Sequence, residues 1–275
     1  MYTQVFDSFS STSQLAIDIA GRFFRILCTS TRFLTIRRII SQRLVFLSGL
    51  TVASSLGMAT DYEPIEYEKR DLIYEEDFSQ FQLGGPWRII EEYSSYFTRD
   101  GSLVGAQIEG SRHGAVIRRL LPFKDVLIQV DFRFEGAPSW NFVVNDENDN
   151  SVHAGHICRL QIRPDRIKVG DDKLGVMNLK HFSIRNDPEH QHWLRPIFER
   201  TSNVGEARFE KGFWYRLEVL ILGDRMEARV DGDLVVGLQS PGFDHPTKTE
   251  FGFTVNQREV WFDNLEVWEV EARER

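Results

Sequence analysis

Cysteine is almost absent from this chain of 275 residues, which contains only Cys28 and Cys158. Cys28 lies in an N-terminal segment that we expect to be removed on export, so the mature protein would hold one cysteine and no internal disulfide. An exported protein without disulfides depends on its hydrophobic core for stability. Since free cysteine is among the most buried residue types, we expect Cys158 to lie in the core, the alternative being a reactive nucleophile.

An excess of positive charge is lacking too. The chain carries 33 lysines and arginines against 41 aspartates and glutamates, a formal net charge of −8. No clustered basic stripe offsets this acidity, so the phosphates of nucleic acid or of an anionic membrane surface would be repelled. We therefore expect no nucleic-acid partner.

Long hydrophobic runs are also missing. The apolar run over residues 44–56 is shorter than the roughly 20 residues that a transmembrane helix needs. It follows an arginine-rich stretch and precedes the small residues Gly57 and Ala59, an order typical of a secretory signal peptide. We predict that residues 1–59 are an extended n-region with a signal peptide, the alternative being an uncleaved anchor. The mature protein would then be secreted or periplasmic, without a stable membrane span.

The short motifs of several large enzyme classes do not occur. The sequence contains no Gly-x-Ser-x-Gly elbow, no phosphate-binding loop, no dinucleotide fingerprint and no His-Glu-x-x-His zinc motif. Signature chemistry of these kinds is therefore not expected, and function must be sought on a sheet face or in the loops.

Alternating apolar and polar residues dominate what is present. Val126 to Phe134 is the clearest strand, and Phe213 to Val270 reads as a meander with a hairpin turn at Gly223-Asp224. Half-buried antiparallel strands need a second layer over their apolar face. The pattern predicts an all-β protein, a two-sheet antiparallel jelly-roll sandwich over residues 72–270, preceded by a charged linker at 60–71.

Residues 175–211 break this rhythm and show no strong period of either kind. We expect one long loop insertion here, with a short helix near Pro188 to Leu194, lying over one end or face of the sandwich. A stretch of this length without regular structure is usually functional.

Polar side chains that alternate with core residues in the middle strands are candidate sugar ligands. If these strands pair, six of them would project from one side: Asp131, Arg133, Asn141, Asn145, Arg159 and Gln161. Planar hydrogen-bonding groups beside an aromatic platform suit a sugar, and Trp140 or Trp193 could supply the platform. The alternative is an ordinary solvated sheet face.

Metal ligands are a second possibility. The oxygen-rich segment 145–150 could bind Ca²⁺, although a plain polar turn explains it equally. His153 and His156 could converge on another divalent metal only with a third ligand, and His190-Gln-His192 with His181 is a further candidate. No cofactor follows with certainty from these patterns.

Adjacent carboxylates at Asp171 and Asp172, beside Lys173, are a third candidate. Paired carboxylates can divide acid and base roles when their environments separate their pKa values. A glycosidase needs its two carboxyls on opposite sides of the scissile bond, so Asp131 or Asp146 would have to serve as the partner. The alternative is a charged β-turn.

The order of several motifs resembles a known family. Along the chain follow Tyr74-Glu-Glu-Asp-Phe-Ser79, Val130-Asp-Phe-Arg-Phe134, Trp214-Tyr-Arg-Leu-Glu-Val219 and Phe262-Asp-Asn-Leu-Glu-Val267. This order resembles the concanavalin A-like jelly roll of laminin-G-like and family 16 glycosidase-like domains. Within that group it is most similar to the 3-keto-disaccharide hydrolase family of exported bacterial proteins. The Glu-x-Asp-x-x-Glu strand of family 16 glucanases is absent, so ordinary retaining glucanase chemistry is not expected.

The resemblance implies a curved sheet face that binds a glycan or disaccharide, and a hydrolase that cleaves an oxidised, 3-keto disaccharide. A 3-keto group acidifies the neighbouring C–H, which points to elimination and hydration by a base. The candidates for that base are His153, His156 and Asp172. Substrate would be held by the following residues: Asp131, Arg133, Asn145, Arg159, Gln161 and Trp193. The alternatives are a non-catalytic lectin-like module and a structural protein of the cell envelope.

Overall fold

The computed structural model describes residues 62–80, 83 and 85–273. The predicted signal peptide at 1–59 and Cys28 lie outside these residues. Within the described part of the chain, no helix has both the length and the apolar character required to cross a membrane.

The described residues form fifteen strands and two short α-helices, with 3₁₀ turns at His153–Gly155 and Pro188–His190. The strands are β1 Tyr67–Glu76, β2 Trp87–Ile89, β3 Ser94–Arg99, β4 Ser102–Gln107, β5 Ala115–Phe123, β6 Val126–Phe134, β7 Ser139–Asn145, β8 His156–Arg163, β9 Arg166–Asp171, β10 Ser202–Glu206, β11 Trp214–Leu222, β12 Arg225–Val230, β13 Asp233–Gln239, β14 Lys248–Asn256 and β15 Val260–Ala272. The helices are α1 Leu179–Ile184 and α2 Gln191–Arg200.

Two antiparallel sheets form the sandwich. Sheet A has the order β13-β12-β11-β6-β15-β4-β3, and β1 pairs with β15 beside this path. Sheet B has the order β10-β9-β8-β7-β14-β5-β2. Each sheet mixes strands from distant parts of the sequence, as a jelly roll does. The predicted fold class is thereby confirmed.

The core between the sheets is rich in aromatic rings. Trp140 of β7 is fully buried and packs edge-on against Phe253 and Phe262, whose own rings stack at 4.3 Å. Cys158 is also fully buried, and burial raises the pKa of its thiol. The expectation that Cys158 lies in the core is confirmed, and a buried neutral thiol is a poor nucleophile.

The predicted linker at 60–71 is partly wrong, because residues 67–71 belong to strand β1. This strand pairs with the C-terminal half of β15, and most of its side chains are exposed. A strand held mainly by backbone hydrogen bonds at a sheet edge does not need alternating apolar residues, so its charged sequence concealed it.

The predicted loop insertion at 175–211 contains α1, α2 and β10. Asn178 caps α1, since its side chain accepts a hydrogen bond from the Lys180 backbone N–H, and Asp187 caps the following 3₁₀ turn. The expected helix near 188–194 therefore exists, and α2 continues it to Arg200. Strand β10 then pairs with β9 and extends sheet B. Each of these segments is too short for a helical or strand periodicity of apolar residues to show in the sequence.

Candidate active site on sheet B

The outward face of sheet B carries polar side chains that are buried. Arg118, Asn145 and Glu250 are only 6%, 3% and 3% exposed. They lie on the neighbouring strands β5, β7 and β14, whose alternate residues Ile117, Val144 and Phe251 fill the core. Buried polar groups require partners, so this face is either a tightly bonded network or a binding site.

A β-bulge brings His156 onto this face. In the pairing of β7 with β8, Val144 lies opposite Cys158 and Asn145 lies opposite His156, which leaves Ile157 as the extra residue. A bulge of this kind reverses the alternation of side chains at one point. As a result His156 and Arg159, three residues apart, both face outward from sheet B.

His156 begins a chain of short hydrogen bonds. Its Nδ1 lies 2.8 Å from Asn145 Oδ1, and Asn145 Nδ2 donates to Glu250 Oε1 over 2.7 Å. Arg88 Nη2 donates to the other oxygen of the same carboxylate, also over 2.7 Å. The hydrogen bonds therefore lead from the imidazole through an amide to a carboxylate that a guanidinium holds.

The tautomer of His156 follows from this series of hydrogen bonds. An ionised carboxylate only accepts hydrogen bonds, so Asn145 must present its NH₂ group to Glu250 and its oxygen to His156. The Nδ1 of His156 must then carry the hydrogen, and Nε2 keeps a free lone pair. Neither Glu250 nor its neighbour Arg118 is among the sequence-predicted site residues.

The imidazole of His156 is neutral at ordinary pH. Burial, reinforced by the positive charges of Arg159 and Arg118, lowers the pKa of His156 to about 3. Burial disfavours the charged form because the imidazolium loses its hydration. His156 therefore offers an unprotonated nitrogen over the whole neutral pH range.

Arg159 is the cation beside this imidazole. Its Nε donates to Asp172 Oδ2 over 2.6 Å, and Asp172 is 1% exposed. The Nη2 of Arg159 is buried and has no hydrogen-bond partner among the described residues. Burial raises the pKa of Asp172, with Arg159 acting in the opposite direction. The guanidinium is thus fixed at one edge and has a donor free at another.

A cavity of about 190 Å³ opens beside Arg159. Sheet B contributes Arg159, Gln161, Lys168 and Gly170 to its lining, and the insertion contributes Val176 and Phe198. An aromatic ring, an apolar patch and several hydrogen-bonding groups around one cleft are the usual composition of a small-molecule site. The 175–211 insertion therefore lies over the outer face of sheet B, where the sequence predicts it to cover one face or end.

The three predicted bases have different environments. His153 lies in the 3₁₀ turn before β8, and its ring stacks on Phe182 of α1 at 3.8 Å. Burial and then the charges of Arg185 and Arg159 lower the pKa of His153. The ring face of His153 is covered by Phe182, and Asp172 is paired with Arg159. Of the three candidates, His156 is therefore the one with a free, oriented nitrogen.

Asp171 and Asp172 do not form an acid–base pair. Asp171 accepts hydrogen bonds from Ser240 Oγ, Gly242 N and Leu174 N, at 2.5, 3.0 and 2.9 Å. Asp172 instead bonds to Arg159. The two carboxylates have different partners, so the first is structural and the second positions Arg159.

The expectation that all six polar residues share one face is wrong. Asn145, Arg159 and Gln161 lie on the outward face of sheet B, and Asn141 lies opposite Gln161. Asp131 and Arg133 are on β6, which pairs with β11 and β15 in sheet A. The chain crosses from one sheet to the other between β6 and β7, so these two residues face the opposite side of the sandwich.

On sheet A, Asp131 and Arg133 make structural contacts. Asp131 accepts hydrogen bonds from Arg216 Nη1 and Asn264 Nδ2, at 3.1 and 2.8 Å. The guanidinium of Arg133 lies over the rings of Trp214 and Trp261, with distances of 4.9 and 4.3 Å to their centroids.

The predicted aromatic platforms also differ from their expected positions. Trp140 is fully buried in the core. Trp193 is 37% exposed on α2 and contacts the edges of His181 and His190, both at 6.1 Å. Five residues of α-helix turn by about 140°, so Phe198 of the same helix, and not Trp193, lines the cavity.

The carboxylates of Asp146 and Asp149 in the oxygen-rich loop at 145–150 accept hydrogen bonds from other protein groups. Asp146 Oδ2 accepts from His245 Nε2 at 2.9 Å and from Thr247 Oγ1 at 2.8 Å. Asp149 Oδ1 accepts from the backbone N–H and the hydroxyl of Ser151. Among the described residues, no group of three or more His, Cys, Asp or Glu side chains is placed to hold a metal ion.

Glu250 and Arg118 could have been noticed in the sequence. Both are charged residues inside strands that also supply apolar residues to the core, in Lys248-Thr-Glu-Phe-Gly-Phe-Thr254 and in Ala115-Val-Ile-Arg-Arg-Leu-Leu121. Such a charge is costly to bury unless it is paired. The partners come from other strands, and that pairing was visible only in the structure.

Comparisons with known proteins place the domain in a family. Residues 75–268, more than half of the chain, match the 3-keto-alpha-glucoside-1,2-lyase-like domain. No curated protein matches the chain in sequence.

Solved structures give more distant likenesses. A carbohydrate binding module from Bacillus subtilis is 14% identical, with 68% of this chain and 95% of that chain covered and a TM-score of 0.43. A GlcNAcα1-4Gal-releasing endo-β-galactosidase from Clostridium perfringens is 14% identical, covering 75% of this chain and 64% of that one, with a TM-score of 0.48. The catalytic domain of a laminarinase from Thermotoga petrophila is 12% identical, covering 77% and 100%, with a TM-score of 0.48.

These structural likenesses are too distant to carry an argument about activity, whereas the family match spans almost the whole described sandwich. It also agrees with the resemblance found in the order of the sequence motifs. The chain belongs to the 3-keto-alpha-glucoside-1,2-lyase-like domain family.

Proposed function

We propose that this protein cleaves the glycosidic bond of 3-keto glycosides by elimination, with His156 as the base and Arg159 as the electrophile. One observation carries the proposal: a neutral, oriented imidazole and a guanidinium with a free N–H face outward from the same strand. The family match is consistent with this chemistry. The family match by itself supports a carbohydrate-active protein.

The reaction begins at the carbon next to the ketone. A carbonyl at C3 acidifies the C2–H bond, and His156 Nε2 accepts that proton. The electron pair of the bond moves into an enolate, and its negative charge develops on the C3 oxygen. The free Nη2–H of Arg159 donates to this oxygen, which is the usual way that a fixed donor stabilises developing charge.

The enolate then expels the group at C1. Its electron pair returns to form the C1=C2 double bond, and the C1–O bond breaks with its electrons remaining on the aglycone oxygen. The imidazolium of His156 returns a proton to that oxygen, directly or through water. Addition of water across the double bond then gives the free 3-keto sugar, so elimination and hydration together amount to hydrolysis.

Export is a separate part of the proposal. The basic stretch, the apolar run at 44–56 and the small residues at 57 and 59 support a secreted or periplasmic protein. Sequencing the N-terminus of the protein recovered from the periplasm or the medium tests this. A mature chain that starts at Thr60 is expected, and an N-terminus retained in the membrane fraction would overturn it.

The activity is tested with the full chain as its host processes it. The protein is incubated with a panel of 3-keto glycosides and their unoxidised parents, with and without a chelator. We expect aglycone release from the keto substrates alone, together with transient absorbance of an enone. Release from unoxidised parents would contradict elimination. Binding by calorimetry without release would favour the alternative of a lectin-like module, for which the cleft beside Phe198 is suited.

The pH dependence of kcat/KM is a direct consequence of the lowered pKa. A base acts when unprotonated, so activity is present above the folded-state pKa of His156, about 3, and lost only as the pH falls through that value. An ordinary histidine would lose activity below its usual value of 6.5. We expect kcat/KM to stay flat between about pH 5 and pH 8, since it reports the free enzyme.

The matched variant for this experiment is the double substitution Asn145→Asp with Glu250→Gln, which moves the carboxylate next to His156 and keeps an amide donor between positions 145 and 250. A carboxylate that accepts from Nδ1 stabilises the imidazolium, so the pKa of His156 should rise and an acidic limb should appear. Circular dichroism over the same range controls for unfolding. An acidic limb near pH 6.5 in the unsubstituted protein would contradict a His156 base whose pKa is lowered by burial.

A further inference from the structure

The outward face of sheet B is basic although the chain as a whole carries a formal net charge of −8. Among its outward strand positions, six are basic and two are acidic. The basic residues are Arg88, Arg118, Arg159, Arg163, Arg166 and Lys168, and the acidic ones are Glu206 and Glu250. Positive charge concentrated in a cleft of an acidic protein attracts anionic ligands to that cleft.

Several of these charges already have partners. Arg88 pairs with Glu250 and Glu147, each at 2.7 Å. Arg166 pairs with Asp165 at 2.8 Å. Of the basic residues without an ion pair among the described residues, Lys168 lines the cavity beside Arg159.

The open side-chain groups of the cavity floor are hydrogen-bond donors. Gln161 Oε1 accepts from Arg163 Nε at 3.2 Å, which directs the Gln161 NH₂ group elsewhere. Lys168 is exposed and has neither an ion pair nor a hydrogen bond within the described residues. Gln161 and Lys168 are directly paired across β8 and β9, so their Cβ atoms lie about 5 Å apart.

The carboxylates of the same cavity are not open. Asp171 accepts from Ser240, Gly242 and Leu174, and Asp172 accepts from Arg159. Lys168 lies near enough to Asp172 for its charge to favour the ionised carboxylate, but no ion pair joins the two side chains. The hydroxyls of Thr201 and Ser202 donate to backbone carbonyls of α2, so they offer only lone pairs, which suit the hydroxyls of a sugar.

We infer that the natural substrate carries a negatively charged group, which Lys168 and the NH₂ group of Gln161 hold in this cavity. Gly170 lies opposite Arg159 and lines the same cavity, so no side chain from this strand position fills it. Phe198 of α2 lines the same cavity. The substrate class is therefore an acidic sugar, bearing a carboxylate or a sulfate or phosphate ester. This inference rests on the proposed function only in taking the cleft as the sugar site.

Binding of unoxidised sugars tests the inference without any chemistry. Calorimetry compares methyl glucoside with methyl glucuronoside, methyl glucoside 6-sulfate and methyl glucoside 6-phosphate, at low and high salt. We expect an acidic sugar to bind at least about tenfold more tightly than the neutral one, because hydrogen bonds to charged groups are the stronger class. Raised salt should weaken this preference, and the tightest ligand identifies the anion.

Substitutions locate the effect. Lys168→Met should remove most of the preference, and Lys168→Glu should reverse it, whereas the exposed Lys211→Met should leave it unchanged. Equal affinity for neutral and acidic sugars, or a preference that survives Lys168→Glu, would overturn the inference. Turnover of neutral 3-keto glycosides with no such preference would leave the proposed function standing alone. Preferential binding without turnover would leave only the acidic-sugar site.

Discussion

Replacement of His156 by glutamine is expected to lower kcat on 3-keto glycosides by about 10²–10⁴-fold, the usual contribution of a general base. Glutamine can keep the hydrogen bond to Asn145 but cannot accept a proton at neutral pH. KM should change little, since the imidazole acts on a proton and not on the affinity for the sugar. Steady-state kinetics on the purified variant measures the effect.

The matched control is His192→Gln, on the exposed surface of α2. It should retain full activity. Thermal unfolding of both variants separates a catalytic loss from a folding defect. If His156→Gln kept more than a tenth of the activity while folded, another group would have to be the base, and His153 would be examined next.

Replacement of Arg159 by lysine is expected to lower kcat by about 10²–10³-fold, because that is the usual cost of removing one oxyanion donor. Lysine keeps the positive charge that Asp172 requires, so the fold should be retained. Its compact ammonium cannot bond to Asp172 and also direct a second planar N–H at the substrate. The loss should appear in kcat more than in KM.

Arg166→Lys is the control, because Arg166 is on the same sheet face and also pairs with an aspartate, Asp165, but in a largely exposed ion pair away from Asp172. It should leave the rate unchanged. Exchange of the C2 proton with deuterated solvent adds a readout that a structural role would not move. Arg159→Lys should slow this exchange, and normal exchange with slow aglycone release would assign Arg159 to a later step.

The alternation of apolar and polar residues in the sequence was sufficient to predict the two-sheet architecture. Residues 126–134 and 213–270 predicted antiparallel strands, and the structure has them as β6 and β11–β15. The family followed from the order of local motifs. The first half of strand β1, residues 67–71, was assigned to the linker because an exposed edge strand needs no apolar alternation.

Part of the candidate site was also visible in the sequence. His156, Arg159, Gln161 and Asn145 belong to two strands that are neighbours along the chain, and neighbouring strands often pair. For Asp131 and Arg133 the same assumption was wrong, because β6 and β7 follow each other in sequence but lie in different sheets.

The sequence by itself thus determined the strands, the two-layer class and the residue types suited to bind a sugar, because side-chain alternation is a local property of two-residue period. Only the tertiary structure decided which polar faces meet. Glu250 lies 105 residues from Asn145 in sequence, yet its hydrogen bond to that amide sets the tautomer of His156. Phe198 lines the cleft from a helix whose sequence showed no clear period. Such contacts depend on strand order and on how an insertion folds back, and neither has a local signal.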